Sequence, residues 1–225
     1  MNKSRIVIQI GGTVRSGTTI LSLILANSKN AISLGEVMHL FYPYRKIHFQ
    51  KIEELSKNEI WKKIINDNPK NLYKNIFKFF PKTNIIIDSS KDPAWYKKML
   101  VKYDYEIHQI VTYKSPNDLK NSFLKRNKTN WKKLYINYYR RFFTIFPLAP
   151  TVSLKFILNN ESYLEQLCSF LKIEFSKKMI NYWTKEHPNF FGSPTVKQQK
   201  INHNILSNDN KLIISNKKMN YLFKK

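Results

Sequence analysis

The chain has 225 residues, of which 42% are hydrophobic, and this length and composition predict one compact domain spanning residues 1–225. Its 39 Lys and Arg outnumber its 15 Asp and Glu, which gives a formal net charge of +24. No helix-turn-helix, zinc-finger or RNA-recognition signature accompanies this charge, which argues against specific nucleic-acid binding. Charge of this size instead favours encounters with smaller anions, an acidic glycan or an anionic membrane surface.

The cysteine count and the hydropathy pattern bear on the compartment. The single cysteine, Cys168, cannot form an internal disulfide, and no cluster of metal-ligand residues is apparent. The first predicted strand begins too early for a cleavable signal to precede it, and no apolar run reaches the roughly 18 residues of a membrane span. We therefore expect a cytoplasmic protein, either free or peripheral to a membrane, that uses no metal.

A glycine-rich turn joins the first predicted strand, over residues 5–10, to an apolar helix predicted to begin at Gly17. Gly11 and Gly12 permit a tight turn and close approach of a ligand. The first N–H groups of the helix point toward an anion from the positive end of the helix dipole. The turn therefore predicts a phosphate-binding loop. Its expected lining residues are Gly12, Thr13, Arg15, Ser16, Gly17, Thr18 and Thr19.

The position of the cation distinguishes this loop from that of a nucleotide-hydrolysing enzyme. Thr18 stands where such a loop has the lysine that reaches the β and γ phosphates, and the loop carries Arg15 instead. The pattern Gly-x-x-Arg-Ser-Gly-Thr-Thr resembles the 5′-phosphosulfate loop of sulfotransferases that use 3′-phosphoadenosine-5′-phosphosulfate (PAPS). The resemblance implies an α/β, three-layer P-loop-like sandwich with a mainly parallel sheet flanked by helices. It also implies that Arg15 stabilises the leaving group in a transfer that needs no metal.

A second anion site is expected after the strand predicted over residues 107–112. The family places Arg-Asp-Pro, then Ser and Arg, where this chain has Lys114, Ser115-Pro116, Ser122 and Arg126. The resemblance implies that Lys114, Ser122 and Arg126 hold the 3′-phosphate of PAPS, with Ser122 and Arg126 on one helical face. Lys114 keeps the charge of the family's arginine but not its forked geometry. The alternative is a capped surface helix with an incidental basic residue.

A third match follows the apolar strand that begins at residue 84. Many bacterial sulfotransferases carry Asp-Ser-Ser-Lys at this place, and tyrosylprotein sulfotransferases carry Lys-Asp-Pro, as in residues 88–93 here. The resemblance implies that Lys91 is a second cation on the leaving group. Open α/β sheets place ligands at the carboxyl ends of their strands, which suits this position. The alternative is ordinary loop and helix-cap chemistry.

Glu36 is the expected catalytic base. It lies 21 residues after Arg15, at the spacing of the Gly-Glu pair of tyrosylprotein sulfotransferases and related bacterial enzymes. A carboxylate in a partly dry cleft can take the proton of an attacking hydroxyl. His39 is the substitute candidate, because other sulfotransferase families use histidine. An exposed salt bridge and a structural histidine are the alternatives for the two residues.

The remaining segments are assigned by periodicity. We predict helices over residues 51–66, 69–80 and 162–171 and a strand over 152–158. A basic amphipathic helix over 130–146 forms either part of the core or a membrane or acceptor surface. Its predicted apolar face consists of Trp131, Leu134, Tyr135, Tyr138, Phe142 and Ile145. Ser193 and Lys197 loosely resemble the late loop that closes over the nucleotide.

Together, these motifs predict transfer of a sulfuryl group from PAPS to a hydroxyl-bearing acceptor, leaving 3′,5′-ADP (PAP). A glycan, a glycolipid or a small metabolite is the expected acceptor. Two alternatives stay open: a small P-loop kinase that uses ATP, and a non-catalytic protein that binds a polyanion or a membrane on the same fold.

Overall fold

The computed structural model describes residues 4–101, 104–125, 127, 129–188, 190–192 and 196. Over these residues, five strands form one parallel sheet with the order β2-β3-β1-β4-β5. The strands are β1 (Arg5–Gly11), β2 (Ala31–Gly35), β3 (Ile85–Lys91), β4 (Tyr105–Tyr113) and β5 (Thr151–Ser153). Continuous apolar runs such as that of β1 are typical of parallel strands buried on both faces.

Helices cover both faces of the sheet, which confirms the expected three-layer α/β architecture. One core lies between the sheet and α1, α8 and α9, and the other lies between the sheet and α2 to α7. None of the described helices is long and apolar enough to cross a membrane. The helices are α1 (Thr18–Ala26), α2 (Phe49–Leu55), α3 (Glu59–Asn66), α4 (Leu72–Phe79), α5 (Pro93–Lys98), α6 (Pro116–Leu124), α7 (Trp131–Ile145), α8 (Leu154–Asn159) and α9 (Glu161–Phe170).

Polar side chains cap several of these helices. Asn58 accepts hydrogen bonds at the start of α3, Asp92 at α5, Ser115 at α6 and Asn160 at α9. Proline opens both α5 and α6, where its missing N–H costs nothing. The segment predicted to be helical over 51–66 is divided by a turn at residues 56–58 into α2 and α3. The segment over 69–80 begins with a 3-10 turn and continues as α4, and the helix over 162–171 is confirmed as α9.

Helix α7 confirms the predicted amphipathic helix, but its buried face is rotated from the predicted one. Tyr135, Tyr139, Phe142 and Phe143 are buried in the core, whereas Leu134 is 46% exposed. Most of the aromatic side of α7 is therefore core packing against the sheet.

The strand predicted over 152–158 is wrong beyond its first residues. β5 ends at Ser153 after pairing three residues with the end of β4, and α8 begins at Leu154. Because β4 itself ends at Tyr113, a longer β5 would have no partner for its backbone groups. The apolar residues are buried by a helix instead, with Ile157 in the core beside α1.

Helix α8 also explains the glycine at the end of the first loop. Gly17 has a left-handed backbone, with φ 94°, and a Cβ there would lie 2.5 Å from Leu154 Cδ2. We expect Gly17→Ala to lower the free energy of unfolding by about 2–4 kcal/mol, from backbone strain plus overpacking.

Urea unfolding checks this expectation against Asn30→Ala. Asn30 is exposed and also has a left-handed backbone, with φ 60°. Its replacement therefore tests backbone strain without a side-chain clash like that with Leu154. We expect about 1 kcal/mol for that variant. Equal losses of unfolding free energy in the two variants would show that the contact with Leu154 adds nothing to the backbone strain.

Candidate functional site

The predicted site residues follow the carboxyl ends of four neighbouring strands. Glu36 follows β2, Lys91 ends β3, the loop containing Arg15 follows β1, and Lys114 follows β4. Because the strand order is β2-β3-β1-β4, these groups occur in this spatial order along one edge of the sheet. This edge is where open parallel sheets bind ligands.

The loop after β1 is stabilised by hydrogen bonds inside the protein. Gly12 donates its N–H to the Tyr138 hydroxyl at 2.6 Å. Ser16 Oγ lies 2.7 Å from the Thr13 carbonyl oxygen and 2.6 Å from Thr112 Oγ1. The Ser16 side chain therefore fixes the shape of the loop.

Packing rather than ligand approach accounts for the first two glycines. A Cβ on Gly11 would collide with the Phe142 ring, and a Cβ on Gly12 would collide with Thr112 and Ser16. The side chains of Thr13, Thr18 and Thr19 are also buried. Helix α1 begins at Thr18, so its first N–H groups have no carbonyl partner within the helix. They remain the loop's candidate hydrogen-bond donors to an anion. Arg15 and Gly17 are half-buried.

Arg15 brings the two predicted anion sites together. It has a left-handed backbone, with φ 73°, and its Nε donates to Ser122 Oγ on α6 at 3.5 Å. Lys114 is half-buried, and burial lowers its pKa. The negative charge of Asp118 opposes this shift, whereas the positive charges of Arg15 and Lys125 add to it. Arg15, Ser122 and Lys114 therefore form one cluster that contains two cations.

Ser115 has a structural role at the start of α6. Ser115 caps α6 by accepting from the Asp118 N–H at 3.1 Å and donating to Asp118 Oδ2 at 2.7 Å. Helix α6 ends at Leu124, and Arg126 lies outside the described residues. The expectation that Ser122 and Arg126 share a helical face therefore stays a prediction.

Lys91 is held by two tyrosines. Its left-handed backbone, with φ 70°, coincides with an irregularity in the pairing of β1 with β3. The Lys91 N–H donates to the Tyr96 hydroxyl at 2.8 Å, and the Lys91 carbonyl accepts from the Tyr138 hydroxyl at 2.5 Å. Tyr138 thus joins the Lys91 backbone directly to the loop at Gly12.

Asp88 organises the same turn from inside the core. Its carboxylate is fully buried and accepts from the Ser90 N–H at 2.8 Å, the Tyr73 hydroxyl at 2.7 Å and Trp95 Nε1 at 2.9 Å. Burial raises the pKa of Asp88, and these hydrogen bonds oppose the rise. Ser90 Oγ in turn accepts from the Met38 N–H at 3.1 Å, which connects this turn to the segment after Glu36.

Glu36 lies in a partly dry position between a lysine and a histidine. Lys91 Nζ is 2.5 Å from Glu36 Oε1, and His39 Nε2 is 3.6 Å from Glu36 Oε2. Burial raises the pKa of Glu36, but the interactions with His39 and Lys91 outweigh it, so the pKa is lower than usual. Glu36 is therefore ionised at neutral pH, as a base must be.

A late segment covers β2 beside Glu36. The Glu36 N–H donates to the Phe190 carbonyl at 2.7 Å, and the Phe190 N–H donates to the Leu34 carbonyl at 2.8 Å. Phe191 follows with a left-handed backbone and its ring against His39 and His48. Ser193 and Lys197 lie outside the described residues.

Some residues that position Lys91 and Glu36 lie outside the sequence motifs, and the sequence did not reveal their role. Tyr96 and Tyr138 donate and accept through hydroxyls that a helical hydrophobic pattern does not reveal. Phe190 reaches β2 from more than 150 residues away in sequence. Only the buried carboxyl of Asp88 carried a signal, because an aspartate that continues an isoleucine strand must find hydrogen-bond donors.

No protein-family model matches the chain, and no curated protein matches it in sequence. The functional assignment therefore rests on the site itself.

Proposed function

We propose that this protein is a PAPS-dependent sulfotransferase. The observation that carries the proposal is the order of charged groups along the sheet edge. A carboxylate stands at one end, just after β2, and a lysine stands beside it at the end of β3. An arginine–serine–lysine cluster follows, in the loop after β1, on α6 and just after β4. This order matches an acceptor at one end, a leaving group in the middle and the nucleotide at the other.

The chemistry of the cluster fits a donor with two separate anions. Arg15 extends from the loop at the start of α1, which suits a 5′-phosphosulfate, and its contact with Ser122 brings that loop next to the second site. We propose that Lys114 and Ser122 bind the 3′-phosphate. Burial lowers the pKa of Lys114, and perturbed pKa values are common at binding sites. When bound, PAPS supplies the activated sulfuryl group.

In the proposed reaction, Glu36 takes the proton of the acceptor hydroxyl while that oxygen bonds to sulfur. The bond between sulfur and the bridging phosphate oxygen breaks, and its electron pair stays on that oxygen, which belongs to PAP. Arg15 and Lys91 stabilise the charge that develops there. The Lys91 ammonium has three donors and Glu36 uses one of them, so the lysine can serve both groups.

The high net charge of +24 supports an anionic or membrane-associated setting for the acceptor. We propose a hydroxyl-bearing glycan, glycolipid or small metabolite as acceptor, and peripheral contact with an anionic membrane as the means of reaching a glycolipid. The proposed compartment is the cytoplasm.

Calorimetric titration with PAP, 5′-AMP and magnesium-ATP tests the proposal. Moderate salt suppresses nonspecific binding to the basic surface. We expect micromolar binding of PAP and much weaker binding of the other two nucleotides. Preference for magnesium-ATP would support a kinase instead, and equal binding of all three would support a non-catalytic polyanion-binding protein.

Lys114→Met isolates the proposed 3′-phosphate site while keeping the apolar part of the half-buried side chain. We expect PAP affinity to fall about 10- to 100-fold, the value of one charge-assisted hydrogen bond, with 5′-AMP affinity unchanged. Lys120→Met is the matched control, because Lys120 is an exposed cation nearby, on α6. Equal losses for PAP and 5′-AMP in Lys114→Met would place the 3′-phosphate elsewhere.

A further inference from the structure

His39 lies one turn after Glu36, with its side chain as sheltered as that of the glutamate. The two side chains are 15% and 19% exposed, and His39 Nε2 is 3.6 Å from Glu36 Oε2. This separation suits an ion pair and is longer than a hydrogen bond. The other carboxylate oxygen, Oε1, is bound by Lys91.

The imidazole ring is oriented by the backbone. His39 Nδ1 lies 3.2 Å from the Tyr44 carbonyl oxygen. Because a carbonyl oxygen only accepts, Nδ1 carries a hydrogen and donates it. The nitrogen that gains and loses a proton is therefore Nε2, which faces Glu36.

Aromatic neighbours fix the plane of the same ring. The His48 and Phe191 rings both meet it edge to face, at centroid distances of 4.8 Å and 5.6 Å. These contacts hold the ring with Nε2 facing Glu36 Oε2.

The charged and titratable groups around His39 come from several elements. Glu36 and Lys91 face it from the ends of β2 and β3, and His48 faces it from the start of α2, with Lys51 beyond. The interaction with Glu36 raises the pKa of His39, although burial and the charge of Lys91 oppose the rise.

We infer that His39 is the proton-sharing partner of Glu36: a positioning residue that holds Oε2 while protonated and receives the acceptor's proton from Glu36 when neutral. This inference rests on the proposed function of Glu36 as base. The proton leaves the acceptor hydroxyl for Glu36 Oε2, passes to His39 Nε2 and is released to solvent. The bonds formed and broken at sulfur are the same as in the proposed reaction.

The rate of sulfuryl transfer is expected to depend on the protonation of His39. Below the raised pKa of His39, the imidazolium occupies Oε2 and Glu36 is a weaker base. Above it, Nε2 is free to receive a proton. The rate of transfer therefore rises with pH through the pKa of His39 and levels off above it.

Nuclear magnetic resonance titration of the histidine ring signals tests the pairing of His39 with Glu36, and it needs neither PAPS nor an acceptor substrate. We expect the pKa of His39 to fall in Glu36→Gln, because the substitution removes the negative charge. The pKa of His108, on β4 beside Glu106, serves as the internal control and should not change. An unchanged pKa of His39 in Glu36→Gln would overturn the pairing.

The pH profile of turnover tests the role of the pair. We expect His39→Gln to lose the rising limb that the parent protein shows, and His108→Gln to keep it. A rising limb that survives His39→Gln would overturn the inference. Absence of PAPS-dependent turnover in the parent protein would overturn the proposed function instead, and the ring titration would still decide whether His39 and Glu36 are paired.

Discussion

Replacing Glu36 by Gln is expected to slow sulfuryl transfer about 10²- to 10⁴-fold, the usual contribution of a general base. The amide keeps the size of the side chain but cannot take the proton of the acceptor hydroxyl. Because Glu36 follows β2, and the proposed PAP contacts lie in the loops after β1 and β4 and on α6, the affinity for PAP should change little. Single-turnover kinetics with PAPS, together with PAP calorimetry, measures both quantities.

Glu54→Gln is the matched control for this prediction. Glu54 is an exposed carboxylate on α2, in the segment that follows the site, and its replacement should leave the rate unchanged. Full activity in Glu36→Gln would assign the base to another group. A large loss of PAP affinity would instead show that Glu36 contacts the nucleotide side of the edge.

Replacing Asp88 by Ala is expected to lower the free energy of unfolding by about 3–5 kcal/mol, because it strands buried polar groups. The Tyr73 hydroxyl, Trp95 Nε1 and the Ser90 N–H would all lose their acceptor in the core. Asp88→Asn should cost less, about 1–3 kcal/mol, since one oxygen remains but the new amide faces a donor. Urea unfolding monitored by circular dichroism measures both losses.

Asp104→Asn provides the surface comparison. Asp104 pairs with Arg5 at 2.7 Å, but its side chain is 72% exposed, so we expect a change within about 0.5 kcal/mol. If Asp88→Ala unfolded at the same urea concentration as the parent protein, the buried carboxylate would not be holding the Lys91 turn.

The sequence was sufficient to predict strands β1, β3 and β4 and the edge where the site lies, but it did not predict β2. Apolar runs such as residues 85–87, each followed by polar or glycine residues, predicted buried parallel strands with functional ends. The structure confirms these strands and brings Arg15 next to Ser122, two residues that the sequence had assigned to separate anion sites. The local pattern was enough because each motif directly follows its strand.

The residues that support the site were beyond the reach of local patterns. Tyr138 was placed on an apolar helix face, and only the assembled structure shows its hydroxyl between Gly12 and Lys91. The strand predicted over 152–158 failed for a related reason. A run of apolar residues is compatible with either a strand or a buried helix. Here the helix forms because β4 is too short to pair with a longer β5, and because Leu154 of α8 packs against Gly17.

The sheet edge separates the two halves of the proposed chemistry by their origin in the chain. The groups around Glu36 come from the segment after β2 and from residues 190–192, whereas the proposed nucleotide contacts come from the loops after β1 and β4 and from α6. Substitutions in the first group can therefore change which hydroxyl compound is accepted without disturbing recognition of the donor. Tyr138 is the exception, because its single hydroxyl joins Gly12 of the donor loop to the backbone of Lys91, the lysine that pairs with Glu36. A lineage that diversifies its acceptors on this scaffold would be free to vary most of the first group while remaining constrained at that tyrosine.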